Sequence, residues 1–219
     1  MKIDLCQMAS YLPFIAQGVF VTLKYTFISI FFGSILGTTL GLMKVSHIRF
    51  LEIFANIYTS IFRGTPLLVQ LIFIYYATPQ LIGYKISAFE AGVLTFSLNS
   101  GAYVSEIIRS GIMSIDRGQF EAASSLGISY FSTMKDIILP QALRNVLPSL
   151  INEMIDLLKE SSLVSVIGEM DLLKRANIIS AEKYIYFEPL LVIAVLYYLM
   201  VMTLSFLMTI VEKRLRRSD

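Results

Sequence analysis

The residues most able to do chemistry here are charged or polar side chains within long apolar stretches. Arg63 is one of them, and Gly64 and Pro66 follow it at once. Proline removes a backbone donor and breaks the helical hydrogen-bond ladder, so this pattern predicts a broken helix beside an arginine. Such a break suits an anionic carboxylate, as it does in other discontinuous membrane helices. An arginine that only caps the carbonyl groups at the break is an equal alternative.

A second group forms a polar stripe along one predicted helix. Asn99, Tyr103 and Glu106 are spaced by four and three residues, so they share one face, with Arg109 a little to its side. A polar stripe on an apolar helix should face protein or water rather than lipid. Glu106 and Arg109 can satisfy each other at i,i+3. Asn99 and Tyr103 have no such obvious partner, which makes them the better candidates to contact a zwitterionic ligand.

A third group lies on a later helix, where Glu153, Asp156, Lys159 and Glu160 fall within an arc of about 120°. Three acids and one lysine give this face a formal charge of −2. Such a face could receive the ammonium group of an amino acid. It could equally be a lattice of salt bridges that joins neighbouring helices.

The composition places these residues in a membrane protein. The chain has 219 residues, of which 56% are hydrophobic and 16% charged, whereas soluble domains average about 25% charged residues. This excludes a disordered chain, a disulfide scaffold and an ordinary soluble enzyme. The single cysteine, Cys6, makes no internal disulfide, and the single histidine, His47, excludes a multi-histidine metal site. A net charge of +2 is too small to indicate nucleic-acid binding.

The elements that must position the polar groups are membrane-spanning helices, each of about 20 apolar residues. We expect an all-α membrane protein with one transmembrane domain over residues 1–219. Its predicted spans are residues 18–43, 57–82, 86–109, 146–168 and 188–211. The inner segments hold ten cations and the outer segments five when the N-terminus is outside and the C-terminus cytoplasmic. The N-terminal residues make a poor signal peptide.

Glycines recur every four residues in the first predicted span, at Gly33, Gly37 and Gly41. They therefore stack along one helix face, where small residues let helix backbones approach closely in lipid. This spacing favours close packing against another helix, which the sequence does not identify. Glycines are also simply common in membrane helices.

The segment 114–145 should face the cytoplasm between the third and fourth spans. Phe120, Ala123 and Leu126 share one face of a short helix that Gly127 can end. A second short helix over 130–138 is expected to run into Pro140. Two short helices joined by a turn at a glycine make a compact structure. The segment lacks the lysine-rich polar face of a helix that binds a membrane surface, so we expect it to bind a protein partner.

This segment carries a resemblance to a known family. The spacing E-A-A-x3-G-x9-I-x-L-P resembles the EAA signature of ATP-binding-cassette (ABC) importer permeases, in which it docks as a coupling helix in a groove of the nucleotide-binding subunit. The resemblance implies the five-helix fold of type I importer permeases. The residues it assigns to ATPase coupling are Glu121, Ala122, Ala123, Gly127, Leu139 and Pro140.

Three further blocks, at 63–70, 99–109 and 158–167, are similar to permeases for polar amino acids, and most of all to those for glutamine. The expected function is therefore import of a polar amino acid, with glutamine first and cationic amino acids such as arginine as the alternative. The candidate substrate-binding residues are Arg63, Thr65, Gln70, Asn99, Tyr103, Glu106, Asp156 and Lys159.

The resemblance also implies partners. The sequence lacks the G-x-x-x-x-G-K-[S/T] phosphate-binding motif, so we expect ATP and Mg²⁺ in a separate ATPase subunit, and no catalytic, cofactor or metal site in this chain. A second permease copy or close homologue and an extracytoplasmic solute-binding protein complete the expected importer in the bacterial inner membrane. A secondary transporter, which usually shows inverted repeats, and a membrane sensor or scaffold are the rival classes.

Overall fold

The computed structural model describes residues 5–46 and 48–216, and these residues form helices joined by short turns, with no strand among them. His47 lies outside the described residues. The α-helices are α1 (Leu12–Val45), α2 (Arg49–Gly64), α3 (Leu67–Ile82), α4 (Ala88–Met113), α5 (Arg117–Ser125), α6 (Tyr130–Ser132), α7 (Leu139–Glu160), α8 (Leu172–Lys183) and α9 (Phe187–Arg216). Two 3-10 helices, Leu5–Tyr11 and Ser161–Ile167, precede α1 and follow α7.

The glycine stripe of α1 packs against α4. A Cβ atom added at Gly33 would lie 2.9 Å from the Cβ of Ser100, and one added at Gly41 would lie 2.8 Å from the Cβ of Ile108. Between them, a Cβ at Gly37 would lie 2.5 Å from the Cβ of Val104. The close packing predicted from the glycine spacing is therefore confirmed, and α4 is the partner helix.

The lengths and hydropathies of the helices do not confirm the five predicted spans. Within the described ranges, two helical segments are long and apolar enough to cross a membrane, Met8–Val45 and Phe187–Ile210. The pair α2–α3 meets the same criterion only when taken together, and it is bent by 99° at its break. Polar stripes lower the hydropathy of α4 and α7, so length and composition indicate two spans, or three if the bent pair is one.

The segment 114–145 differs from its prediction at Pro140. The second short helix does not end there, because α6 continues through a six-residue π-helix, Thr133–Ile138, directly into α7. Proline is tolerated in the first turn of a helix, where its missing N–H would have no partner anyway. The helical run therefore reaches Glu160, and its 3-10 extension ends before Gly168, whose φ is +95°.

Helix α8 is tied to the start of α1 by the buried side chain of Arg175. Its guanidinium donates to the carbonyl oxygens of Phe14 and Met170, both at 2.9 Å, and to Oε1 of Gln17 at 3.1 Å. The fully buried Asp171 caps α8, with its carboxylate accepting from the backbone N–H groups of Leu173 and Lys174. The segment between the last two predicted spans is thus an ordered helix that packs on α1 and α9.

Stability is expected to fall as pH rises through the titration of Asp171. Burial raises the pKa of this carboxyl from its ordinary 3.8 to about 6, although the two backbone N–H groups oppose the shift. Between about pH 4 and pH 6 the folded state binds more protons than the unfolded state, so the free energy of unfolding decreases as pH rises. A pKa difference of this size lowers the free energy of unfolding by about 3 kcal/mol across that pH range.

Asp171→Asn should remove this slope, because asparagine caps a helix as well as aspartate does and stays neutral. Thermal unfolding of the detergent-purified protein from pH 4 to pH 7 checks the prediction. The melting temperature should fall by several degrees in the wild type and fall clearly less in Asp171→Asn. Parallel profiles would show that this carboxyl does not control the slope.

Candidate functional site

The break between α2 and α3 is held by amide side chains. Nε2 of Gln70 donates to the carbonyl oxygen of Phe62 at 2.8 Å and to Oγ1 of Thr65 at 2.8 Å. Nδ2 of the buried Asn99 donates to the same Phe62 oxygen and to Oε1 of Gln70, both at 3.1 Å. The predicted break at Gly64 is confirmed, and these two amides bind the carbonyl group that the break leaves open.

Asn99 therefore has hydrogen-bond partners, although the spacing of residues within α4 suggested none. Its partners lie on α2 and α3, 37 and 29 residues earlier in the chain, so helical spacing within α4 does not reveal them. Asn99, Gln70 and Thr65 shape the break beside the exposed Arg63.

Arg63 itself lies over the polar stripe of α4. Its Cζ atom is 5.2 Å from the ring centroid of Tyr103, at cation–π distance. Its Nη1 atom is 3.9 Å from Oε1 of Glu106, and 45% of its side chain is exposed. The structure thus brings together Arg63, Tyr103 and Glu106, and it leaves the guanidinium accessible to a further anionic group.

Glu106 is shared among several cations. Nε of Arg109 donates to its Oε2 at 2.9 Å, which confirms the predicted i,i+3 pair. Its Oε1 accepts from Nζ of Lys44, which also donates to Oγ1 of Thr59 at 2.7 Å. Only 1% of the Lys44 side chain is exposed. Lys44 is one of the ten cations predicted to lie in the inner segments, and nothing in its spacing points to Glu106, 62 residues away.

The acidic face of α7 divides into two parts. Asp156 and Lys159 pair with each other at 2.6 Å, and more than half of each side chain is exposed. The Glu153 carboxyl lies near Ser100 of α4 and within electrostatic range of Arg63. The pair formed by Asp156 and Lys159 is therefore internal to α7, whereas Glu153 is half-buried on the side of α7 that meets α4.

Helix α5 has a defined beginning and end. Asp116 caps its start by accepting from the N–H of Gly118 at 2.7 Å. At its end, Gly127 adopts a φ of +72° and donates to the carbonyl of Ser124, while Ile128 donates to that of Ala123. This is a Schellman motif, which favours glycine at the left-handed position. The prediction that Gly127 ends the helix is confirmed.

The residues assigned to ATPase coupling differ in exposure. Glu121, Ala122 and Pro140 are exposed, whereas Ala123 is 2% exposed. Leu139 is partly buried against a cluster of apolar side chains from α4, the π-helix and α7. Glu121 and Ala122 are thus available to a partner, and Ala123 and Leu139 hold the segment in place.

Comparison with known proteins gives consistent matches. Residues 29–217 match the family described as binding-protein-dependent transport system inner membrane component. A putative glutamine transport system permease protein of Rickettsia bellii is 57% identical over 92% of this chain and 93% of its own length. The arginine transport system permease protein ArtQ of Bacillus subtilis is 47% identical over the whole of both chains.

Solved structures match as well. An amino acid ABC transporter crystallised with histidines superposes with a TM-score of 0.93 and 46% identity, over 98% of this chain and 100% of that chain. An inward-facing MetNI methionine ABC transporter gives a TM-score of 0.79 with 20% identity, over 94% and 97% of the two chains. The second match shows that the fold is that of the permeases of such transporters.

Proposed function

Since this chain belongs to the family of binding-protein-dependent transport system inner membrane components, we propose that it is the permease subunit of an importer for a polar amino acid. Glutamine is the first candidate, because the 57% identical relative is a putative glutamine permease. Arginine is the second, because ArtQ is 47% identical and the α7 face carries excess negative charge.

The observation that carries this proposal is the placement of Arg63 and Glu153. Arg63 on α2 is exposed and Glu153 on α7 is half-buried, and the two have an electrostatic interaction. Both helices pack against α4. An amino acid has one anionic and one cationic end, so Arg63 would receive its carboxylate and Glu153 its ammonium group. Tyr103 lies beneath Arg63, and Asn99, Gln70 and Thr65 fix the break beside it.

We place the whole chain in the bacterial inner membrane as one transmembrane domain of five spans, with the N-terminus outside. The polar stripes of α4 and α7, which lower their hydropathy, face other helices and the substrate route rather than lipid. The remaining parts of the importer would be a second permease copy or close homologue and an extracytoplasmic solute-binding protein.

Energy would come from a separate ATPase subunit that holds ATP and Mg²⁺ and binds the exposed face of α5. Alternating access then requires that nucleotide and substrate favour different conformations of the complex. Each ligand therefore changes the affinity for the other.

Arg63→Ala is expected to weaken substrate binding by about tenfold to one-hundredfold, the range for loss of one charge-assisted hydrogen bond. Equilibrium dialysis of labelled glutamine against the purified permease–ATPase complex measures this, with labelled arginine in parallel. Arg63→Lys, which keeps a cation, should retain more of the affinity. Unchanged affinity with loss of assembly would show instead that Arg63 is structural.

Uptake into vesicles separates the importer from its rivals. Vesicles that contain the permease, its ATPase and the binding protein should accumulate the amino acid only with ATP. An ion gradient would suffice for a secondary transporter, and a scaffold would accumulate nothing. Competition by unlabelled glutamine and arginine identifies the preferred substrate.

A further inference from the structure

Lys44 is a buried cation at the junction of three helices. It lies in the last turn of α1, donates to Thr59 of α2 at 2.7 Å and binds the Glu106 carboxylate of α4. Only 1% of its side chain is exposed, whereas 45% of Arg63 and 37% of Arg109 are exposed. Burial of a lysine costs free energy unless its charge is paired, so the Glu106 carboxylate is the counter-ion that Lys44 requires.

The charges around Glu106 are unevenly shared. Three cations, Lys44, Arg63 and Arg109, surround one carboxylate, so the cluster has a formal charge of +2. Lys44 and Arg109 make direct hydrogen bonds to Glu106, but Arg63 stays 3.9 Å away and lies over Tyr103. Lys44 binds Oε1, the oxygen that faces Arg63, and at 3.9 Å the arginine is paired with the same oxygen only loosely.

We infer that Lys44 is a positioning residue for substrate binding: it occupies Glu106 and so keeps Arg63 available for the carboxylate of the amino acid. This inference rests on the proposed role of Arg63. Without the lysine charge, Glu106 would draw the guanidinium towards itself and compete with the substrate for the same donors.

This role predicts opposite signs for two isosteric changes. Lys44→Met removes the cation that occupies Glu106, so the affinity for an amino acid should fall by about tenfold. Glu106→Gln removes the competing anion, so the affinity should rise by several fold. A purely structural ion pair would weaken binding in both variants, since each change breaks the contact that joins α1 to α4.

The test is equilibrium binding of labelled glutamine and labelled arginine to the purified permease–ATPase complex. Glutamine α-amide, which lacks the carboxylate, is the competing probe and should be insensitive to both changes. Lys24→Met is the matched control, since Lys24 is a lysine of the same helix that lies over the ring of Phe89 at 4.0 Å, about 30 Å along α1. The affinity of Lys24→Met for both labelled amino acids should equal that of the wild type.

The double variant Lys44→Met/Glu106→Gln keeps the test decisive if either single variant fails to assemble, since it leaves neither a buried lysine nor its carboxylate without a partner. It restores the formal charge of +2, so its affinity for the labelled amino acid should return towards the wild-type value. Weaker binding by an assembled Glu106→Gln, or unchanged binding by an assembled Lys44→Met, overturns the inference even if Arg63→Ala still loses affinity. A wild-type complex that binds neither amino acid overturns the proposed function, and this inference with it.

Discussion

Glu121→Lys is expected to abolish amino-acid uptake while the protein remains folded in the membrane. Glu121 is exposed on α5, and its backbone carbonyl accepts from Oγ of Ser125 at 2.9 Å. Reversal of its charge therefore leaves the Asp116 cap and the Gly127 turn intact. A lysine at the contact with the ATPase would replace an attractive charge by a repulsive one, and like charges across an interface cost several kcal/mol.

The measurement is ATP-dependent uptake by vesicles, combined with copurification of the ATPase subunit. Gln119→Lys is the matched control, because position 119 is also exposed and lies about 200° around the same helix, on its other side. Uptake should be lost in Glu121→Lys and kept in Gln119→Lys. If both variants transport and both recruit the ATPase, α5 does not form the contact.

The second large effect is expected from Gly37→Leu, which should prevent α1 and α4 from packing. A Cβ atom at this position would lie 2.5 Å from the Cβ of Val104 and 2.8 Å from the carbonyl oxygen of Gly101. A backbone oxygen does not move aside as a flexible side chain can, so the two helices must separate. The cost should be about 3 kcal/mol, the upper range for overpacking.

Thermal unfolding and size-exclusion chromatography of the detergent-purified protein measure this loss. Gly64→Ala is the control, since a Cβ atom there would meet no other atom within 4 Å. Its melting temperature should match that of the wild type, while Gly37→Leu should melt far lower or aggregate. An unchanged melting temperature for Gly37→Leu would mean that α1 and α4 are not packed at this face.

Local patterns predicted those parts of the fold that depend on local chemistry. The four-residue glycine spacing, the break at Gly64 and Pro66 and the turn at Gly127 are each fixed by residues close together in sequence. The helix that continues through Pro140 was not predicted, because a π-helical turn precedes it and proline is compatible with a first turn. Helix α8 was not predicted either, since its place depends on the buried contacts of Arg175 with α1.

The contacts of the candidate site likewise divide into those within one helix and those between helices. The pair of Glu106 and Arg109 follows from an i,i+3 spacing within one helix, and so it could be predicted. The contacts of Asn99 with Gln70, and of Lys44 with Glu106, join residues 29 and 62 positions apart. Each connects different helices, so it becomes visible only when the helices are placed beside one another.

The distribution of apolar character among the helices has a consequence for biogenesis. Among the described residues, the segments apolar enough to cross a membrane alone lie at the two ends of the chain, Met8–Val45 and Phe187–Ile210. In the proposed five-span arrangement, α1 would leave the translocon for lipid unaided, whereas α4, which carries Glu106, would have to enter beside a helix that covers its polar stripe. The glycine face of α1 would then provide the packing surface for α4. Insertion of the middle of the chain would therefore be a cooperative step that depends on α1.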